Sequence, residues 1–121
     1  MPGIYTLSKE ERLHGKNDIS QLLARGHFGN VPGMRYCFLK GNGLDHNRML
    51  ISVPKKMFKR AVKRNLMKRR IRENFRHLKY TLTDGCGTDI LFIWNSKETP
   101  GTKEITPLME AVIKKVNAYE K

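Results

Sequence analysis

An α+β sandwich, with helices laid on a small sheet, is the fold class this sequence predicts, and three observations carry it. Helix-like and strand-like segments alternate in the order α, β, β, α, β, α, with room for one extra short strand. The run Asp89 to Trp94, DILFIW, is almost wholly apolar and reads as a buried strand. At 121 residues the chain is expected to be one domain, residues 1–121. A chain of that size buries roughly two thirds of its surface around one core.

Each element has its own signal. Ser8 followed by Glu11 is a capping-box pattern for a short helical turn. A firmer helix runs from Asn17 or Asp18 to about Arg25, with Ile19, Leu22 and Leu23 on one face and Gly26 placed to end it. His27 to Gly33 holds glycines, Asn30 and Pro32, and reads as a loop with room for an edge strand. Met34 to Lys40, MRYCFLK, is strand-like, with GNGLDHN as its turn, and Arg48 to Val53, RMLISV, is the next strand. Pro54 stops that strand, where loss of a ladder donor is harmless. Lys55 to Lys79 reads as the central helix, Thr81 to Thr88 as a turn-rich connection and SKETPGT as a loop after the buried strand. Thr106, with Pro107 as the first helical residue, starts a last helix to about Tyr119, along which Leu108, Val112 and Val116 recur every four residues.

Charge singles out the central helix. Lys55 to Lys79 holds twelve basic residues against Glu73, or +11 of the chain's formal +13. Twelve basic and ten acidic residues remain elsewhere, so the charge belongs to one surface. At 100° per residue, Met67, Ile71, Phe75 and Leu78 form an apolar stripe, and Asn65, Arg69, Arg72 and Arg76 a polar one about a third of a turn away. Acids at i±4 are nearly absent, so these cations repel one another and want an external anion. Phosphate is favoured, because every neutralised phosphate releases condensed counterions. A membrane-surface helix would need a broad apolar face, and Arg60 and Arg64 interrupt this one.

Other chemistry is thin. Cys37 and Cys86 make no disulfide framework and no zinc spacing; Cys37 reads as a core residue and Cys86, between glycines, as an exposed thiol. No apolar segment near 18 residues and no signal-peptide pattern is present, so a cytoplasmic location is expected. Glu10, Glu11, Asp45, Asp84 and Asp89 are scattered, and His14, His27, His46 and His77 are isolated, so no catalytic residue and no protein metal site is expected. GNG and GCG lack the setting of nucleotide loops, which argues against a small-molecule substrate. The polypeptide reads as a binder, with nucleic acid its favoured partner.

The residues then become specific. Ser52-Val53-Pro54-Lys55-Lys56, followed by Ala61-Val62-Lys63-Arg64-Asn65-Leu66-Met67-Lys68-Arg69-Arg70-Ile71-Arg72-Glu73, closely resembles the signature of the protein subunit of bacterial ribonuclease P. The resemblance implies a two-layer α+β sandwich: a small mixed, mainly antiparallel sheet, about three helices and a left-handed βαβ crossover, against the usual right-handed rule. It also implies two partners, the catalytic RNA of ribonuclease P and precursor tRNA. In that ribonucleoprotein the RNA, with magnesium bound mainly by itself, removes the 5′ leader, while the protein holds the leader and strengthens metal-dependent substrate binding. Carried over by position, Arg64, Asn65, Lys68, Arg69 and Arg72 form the RNA-facing helix surface, with Lys68 and Arg72 nearest the leader. Lys55 and Lys56 reach phosphate, and Lys59 and Arg76 extend the basic surface. Ala61 is small enough to let RNA backbone approach.

The chain departs from the family pattern in three respects. Leu66 stands where a third strong base often follows the Asn. Ile19 and Leu23 stand where the first helix often carries aromatic residues lining a leader cleft. The third cleft position, commonly Tyr, is Leu39, or with a two-residue offset Tyr36 or Phe38. The alternative function is a general RNA-binding, RNA-chaperone or ribosome-associated module with no catalytic RNA partner.

Overall fold

The computed structural model describes residues 11–44, 46–82 and 87–119; Ser8, Glu10, Asp45, Asp84 and Cys86, each given a role above, lie outside them. The elements are α1 (Lys16–Arg25), β1 (His27–Val31), β2 (Met34–Lys40), β3 (Arg48–Ser52), α2 (Ala61–Leu78), a 3-10 turn at Lys79–Thr81, β4 (Thr88–Trp94) and α3 (Thr102–Ala118). One four-stranded sheet runs β1-β2-β4-β3, antiparallel except for the parallel β3/β4 pair. The expected mixed sheet is present, and β3-α2-β4 is its βαβ unit.

Period-two alternation along the strands divides the interior. Met34, Tyr36 and Phe38 of β2, with Ile90, Phe92 and Trp94 of β4, face α2 and α3. Met67, Ile71 and Phe75 answer from α2, and Ile105, Met109, Val112 and Val116 from α3. That layer pair is the sandwich. On the opposite face Cys37 and Leu91 pack with Leu22 of α1 and with Leu13 in a smaller cluster. Asn74, at 4% exposure on the α2 stripe, bonds the Arg70 and Thr102 carbonyls at 3.1 and 3.0 Å and accepts the Thr106 hydroxyl. This polar bridge between α2 and α3 lies inside an apolar seam.

β1 is the short edge strand for which the sequence left room. It joins β2 through Pro32-Gly33; Gly33 at φ +81° is in a region open to glycine, and Val31 and Met34 close the ladder.

Two helix starts differ from the sequence prediction. α2 begins at Ala61, not Lys55. Met57 N–H instead bonds the Pro54 carbonyl at 3.0 Å, and Phe58 enters the main core at 6% exposure. Burying Phe58 holds residues 55–60 in a turn. α3 begins five residues early, with Thr102 as its first helical residue and Pro107 inside it. Gly101 is the N-cap, and its N–H meets the Glu104 carboxylate at 3.2 Å. Pro107 deprives only the exposed Lys103 of a carbonyl partner, and water can supply one there.

Candidate nucleic-acid interface

α2 docks by its apolar stripe, and its two flanks diverge in use. On one flank α3 and its leading loop press close: Arg70 Nη1 donates to the Thr99 and Pro100 carbonyls at 3.1 and 2.7 Å. Helical geometry puts Ala61, Asn65, Lys68, Arg69, Arg72 and Arg76 on the other flank, which α3 leaves open. Ala61, Asn65 and Arg69 are exposed there, and Lys68 and Arg72 half-buried.

Internal partners occupy four of the twelve cations. Arg64, expected on the RNA-facing surface, turns inward and donates to the Phe58 and Lys59 carbonyls at 2.8 and 2.7 Å. It thereby ties the 55–60 turn to the start of α2. Arg70 holds the loop before α3, and Arg76 pairs with Glu73. Lys79, 8% exposed, reaches the Glu11 carboxylate at 2.8 Å. Arg76 chiefly, and His77 less, hold Glu73 below the usual carboxylate range. The side chains of Lys55, Lys56, Lys59, Arg60, Lys63, Lys68, Arg69 and Arg72 form no hydrogen bond or ion pair among the described residues. These eight are the cations available to an external anion.

The positions expected around a leader cleft separate. Ile19 and Leu39 come together on the α1 face, half-buried with Leu50 and Ile93 around Cys37 and Leu91. Leu23 lies on α1 at 48% exposure. Tyr36 and Phe38 do not share this cleft: strand alternation turns both to the other face, into the core beneath α3. Leu39 is thus the β2 position that accompanies Ile19, while Tyr36 and Phe38 pack in the main core. Burial raises the Tyr36 phenol above its ordinary pKa and pushes the Cys37 thiol up to about 11.

At the α1/sheet junction opens a cavity of about 340 Å³, lined by Asp18, Arg25, Leu39, Arg48 and Asp89 among others. Arg48 bridges Asp18 at 3.0 Å and Asp89 at 2.8 Å, a network sequence reasoning missed. Its only sequence signal was an acid opening the apolar run of β4. The carboxylates are thus tied to cations and do not converge; among the described residues no group of three or more His, Cys, Asp or Glu could hold a metal ion. No helix among them is long and apolar enough to cross a membrane.

Comparison with known proteins agrees with this architecture. The family model "Ribonuclease P" matches residues 7–117. The Ribonuclease P protein component of Porphyromonas gingivalis is 39% identical over 85 residues, which cover 69% of this chain and 62% of that protein. Its counterpart from Pseudomonas aeruginosa is 48% identical over 66 residues, 54% of this chain and 47% of that one. This chain therefore aligns with about half to three fifths of those relatives' length. The solved RNase P protein of Staphylococcus aureus superposes with a TM-score of 0.76 at 29% identity, covering 91% of this chain and 98% of that one. For the Thermotoga maritima RNase P protein the TM-score is 0.74 at 26% identity, with 92% and 99% covered. With its signature, its fold and a family match running through all three helices and the sheet, the chain belongs to the Ribonuclease P family.

Proposed function

We propose that this chain is the protein component of a ribonuclease P ribonucleoprotein. It binds the catalytic RNA and the 5′ leader of precursor tRNA, and assists magnesium-dependent endonucleolytic removal of that leader. The observation that supports this best is the open flank of α2, where Lys68, Arg69 and Arg72 have no counter-ion among the described residues beside exposed Asn65 and Ala61. Arg69 and Arg72 present planar donors for phosphate, and Ala61 leaves room for the backbone. Lys55, Lys56 and Lys59, on the turn held by Arg64, extend the phosphate track toward β3. Arg64 is here a positioning residue.

Catalysis resides in the RNA partner, which carries most of the magnesium. The protein supplies affinity and placement, and its medium is the cytoplasm. Capture of RNA on the tagged chain from a bacterial lysate tests the assignment. Enrichment of one large RNA that cleaves precursor tRNA is expected; enrichment of ribosomal RNA alone would favour a general RNA-binding module.

A further inference from the structure

Among the described residues, Phe28 and Tyr80 are the two Phe, Tyr or Trp rings left more than half exposed, at 51% and 58%. Phe28 lies on edge strand β1. Its register partner is Cys37, so its ring stands on the α1 face of the sheet, the face floored by Leu39, Leu91 and Ile93. Arg35 stands on the same face two residues before Cys37, with its guanidinium carbon 5.9 Å from the Phe28 ring centroid. That guanidinium pairs with no carboxylate among the described residues. α1, KNDISQLLAR, brings no aromatic ring to this face.

One exposed Phe on a surface is ordinary. This one continues a track. Arg35 is in register with Ile93 and Ile93 with Ser52, so one row of side chains crosses the sheet from β2 to the end of β3. From Ser52 the chain passes through Pro54 to Lys55 and Lys56, both exposed and without an ion-pair partner among the described residues. With strands about 4.8 Å apart, β1 lies only about 15 Å across the sheet from β3. A polyanion on those lysines can therefore reach Phe28 over an apolar floor. Aromatic rings beside arginine, next to a cationic track, are how unpaired bases are held without sequence readout.

We propose that Phe28 and Arg35 form a stacking platform for one unpaired base of the precursor tRNA leader, with Phe28 beneath the base and Arg35 beside it. This rests on the leader-binding reading above. Holoenzyme reconstituted with a bacterial ribonuclease P RNA tests it, using precursor tRNAs that carry 2-aminopurine at successive leader positions and a leaderless tRNA as reference. With the wild-type chain, one leader position is expected to lose fluorescence on binding, as a base does when it stacks. Phe28→Leu should abolish that quench and weaken leader-dependent affinity by roughly 5- to 100-fold. Phe28→Trp should keep both, and leaderless tRNA should bind all three alike. Equal leader dependence and an equal quench in Phe28→Leu would overturn the platform while leaving the leader-binding reading intact. A wild-type holoenzyme indifferent to the leader would overturn both. Unchanged thermal unfolding of Phe28→Leu guards against a folding defect, and the Trp variant provides the comparison should Leu fail to fold.

Discussion

Arg48 and Asp89 meet in a two-pronged ion pair across the parallel β3/β4 junction, Nε to Oδ1 and Nη2 to Oδ2, both at 2.8 Å. Asp89 is 3% exposed, and Asn42 adds a third bond to its Oδ1 at 2.9 Å. Arg48 also reaches Asp18 of α1, so one guanidinium ties helix, central strand and edge strand. The hydrogen bonding to Asp89 outweighs burial and raises the Arg48 pKa, so the group stays charged. Asp89→Ala strands that charge and should cost about 3 kcal/mol in urea unfolding. Asp18, with its side chain 49% exposed, should cost less than about 1 kcal/mol when changed to Ala. Equal losses would show that burial is not what sets the energy.

Asn74 joins α2 to α3 through two hydrogen bonds, one to the Thr102 carbonyl and one from the Thr106 hydroxyl, and makes a third to Arg70 within α2 itself. Removing it takes one partner from the Thr102 carbonyl and one from the Thr106 hydroxyl, which keep the 3.1 Å bond between them. Asn74→Ala should lower stability by roughly 1–3 kcal/mol. Chemical denaturation measures it, and a loss under about 0.5 kcal/mol would mean that water replaces the side chain.

Arg69 and Arg70 are adjacent in sequence and differ in employment. Arg69 has no side-chain partner among the described residues, whereas Arg70 holds the Thr99 and Pro100 carbonyls. In binding to ribonuclease P RNA, Arg69→Ala should reduce the slope of log K against log salt by about one unit. Arg70→Ala should change that slope less and lower thermal stability more. Interchanged effects would place the RNA on the α3 flank.

Cys37 is fully buried, and its thiol is pushed up to about 11 from 9.0. A group whose folded pKa is raised stabilises the fold fully below its unfolded pKa, and that stability is lost as pH rises to the folded value. The stability advantage of the wild-type chain over Cys37→Ala should therefore shrink between about pH 9 and pH 11. An advantage flat across that window would refute the burial argument.

Local periodicity made much of this molecule legible. Met67, Ile71 and Phe75 announced the docking face of α2, DILFIW announced β4, and the imbalance of charge on Lys55 to Lys79 announced the surface. Non-local geometry was not legible. Phe58 draws the 55–60 turn into the core and shortens α2, and Arg64 is taken inward to hold that turn. The partnership of Arg48 with Asp89 joins residues 41 apart and exists only once β3 and β4 are in register. Whether Leu39 or its neighbours faced the cleft depended on strand phase, and the one-residue alternation that sends Tyr36 and Phe38 into the core was fixed by the β1-β2 hairpin. Pro107 looked like a helix start because proline favours that position, yet Gly101 and Glu104 cap the helix earlier.

Cleavage of a precursor tRNA at low magnesium tests the central claim most directly, comparing ribonuclease P RNA alone, this chain alone, and the two together. Cleavage is expected only in the mixture, and Arg69→Ala with Arg72→Ala should weaken it sharply while leaving thermal unfolding unchanged. No gain over the RNA alone, with unselective RNA binding in its place, would contradict the assignment.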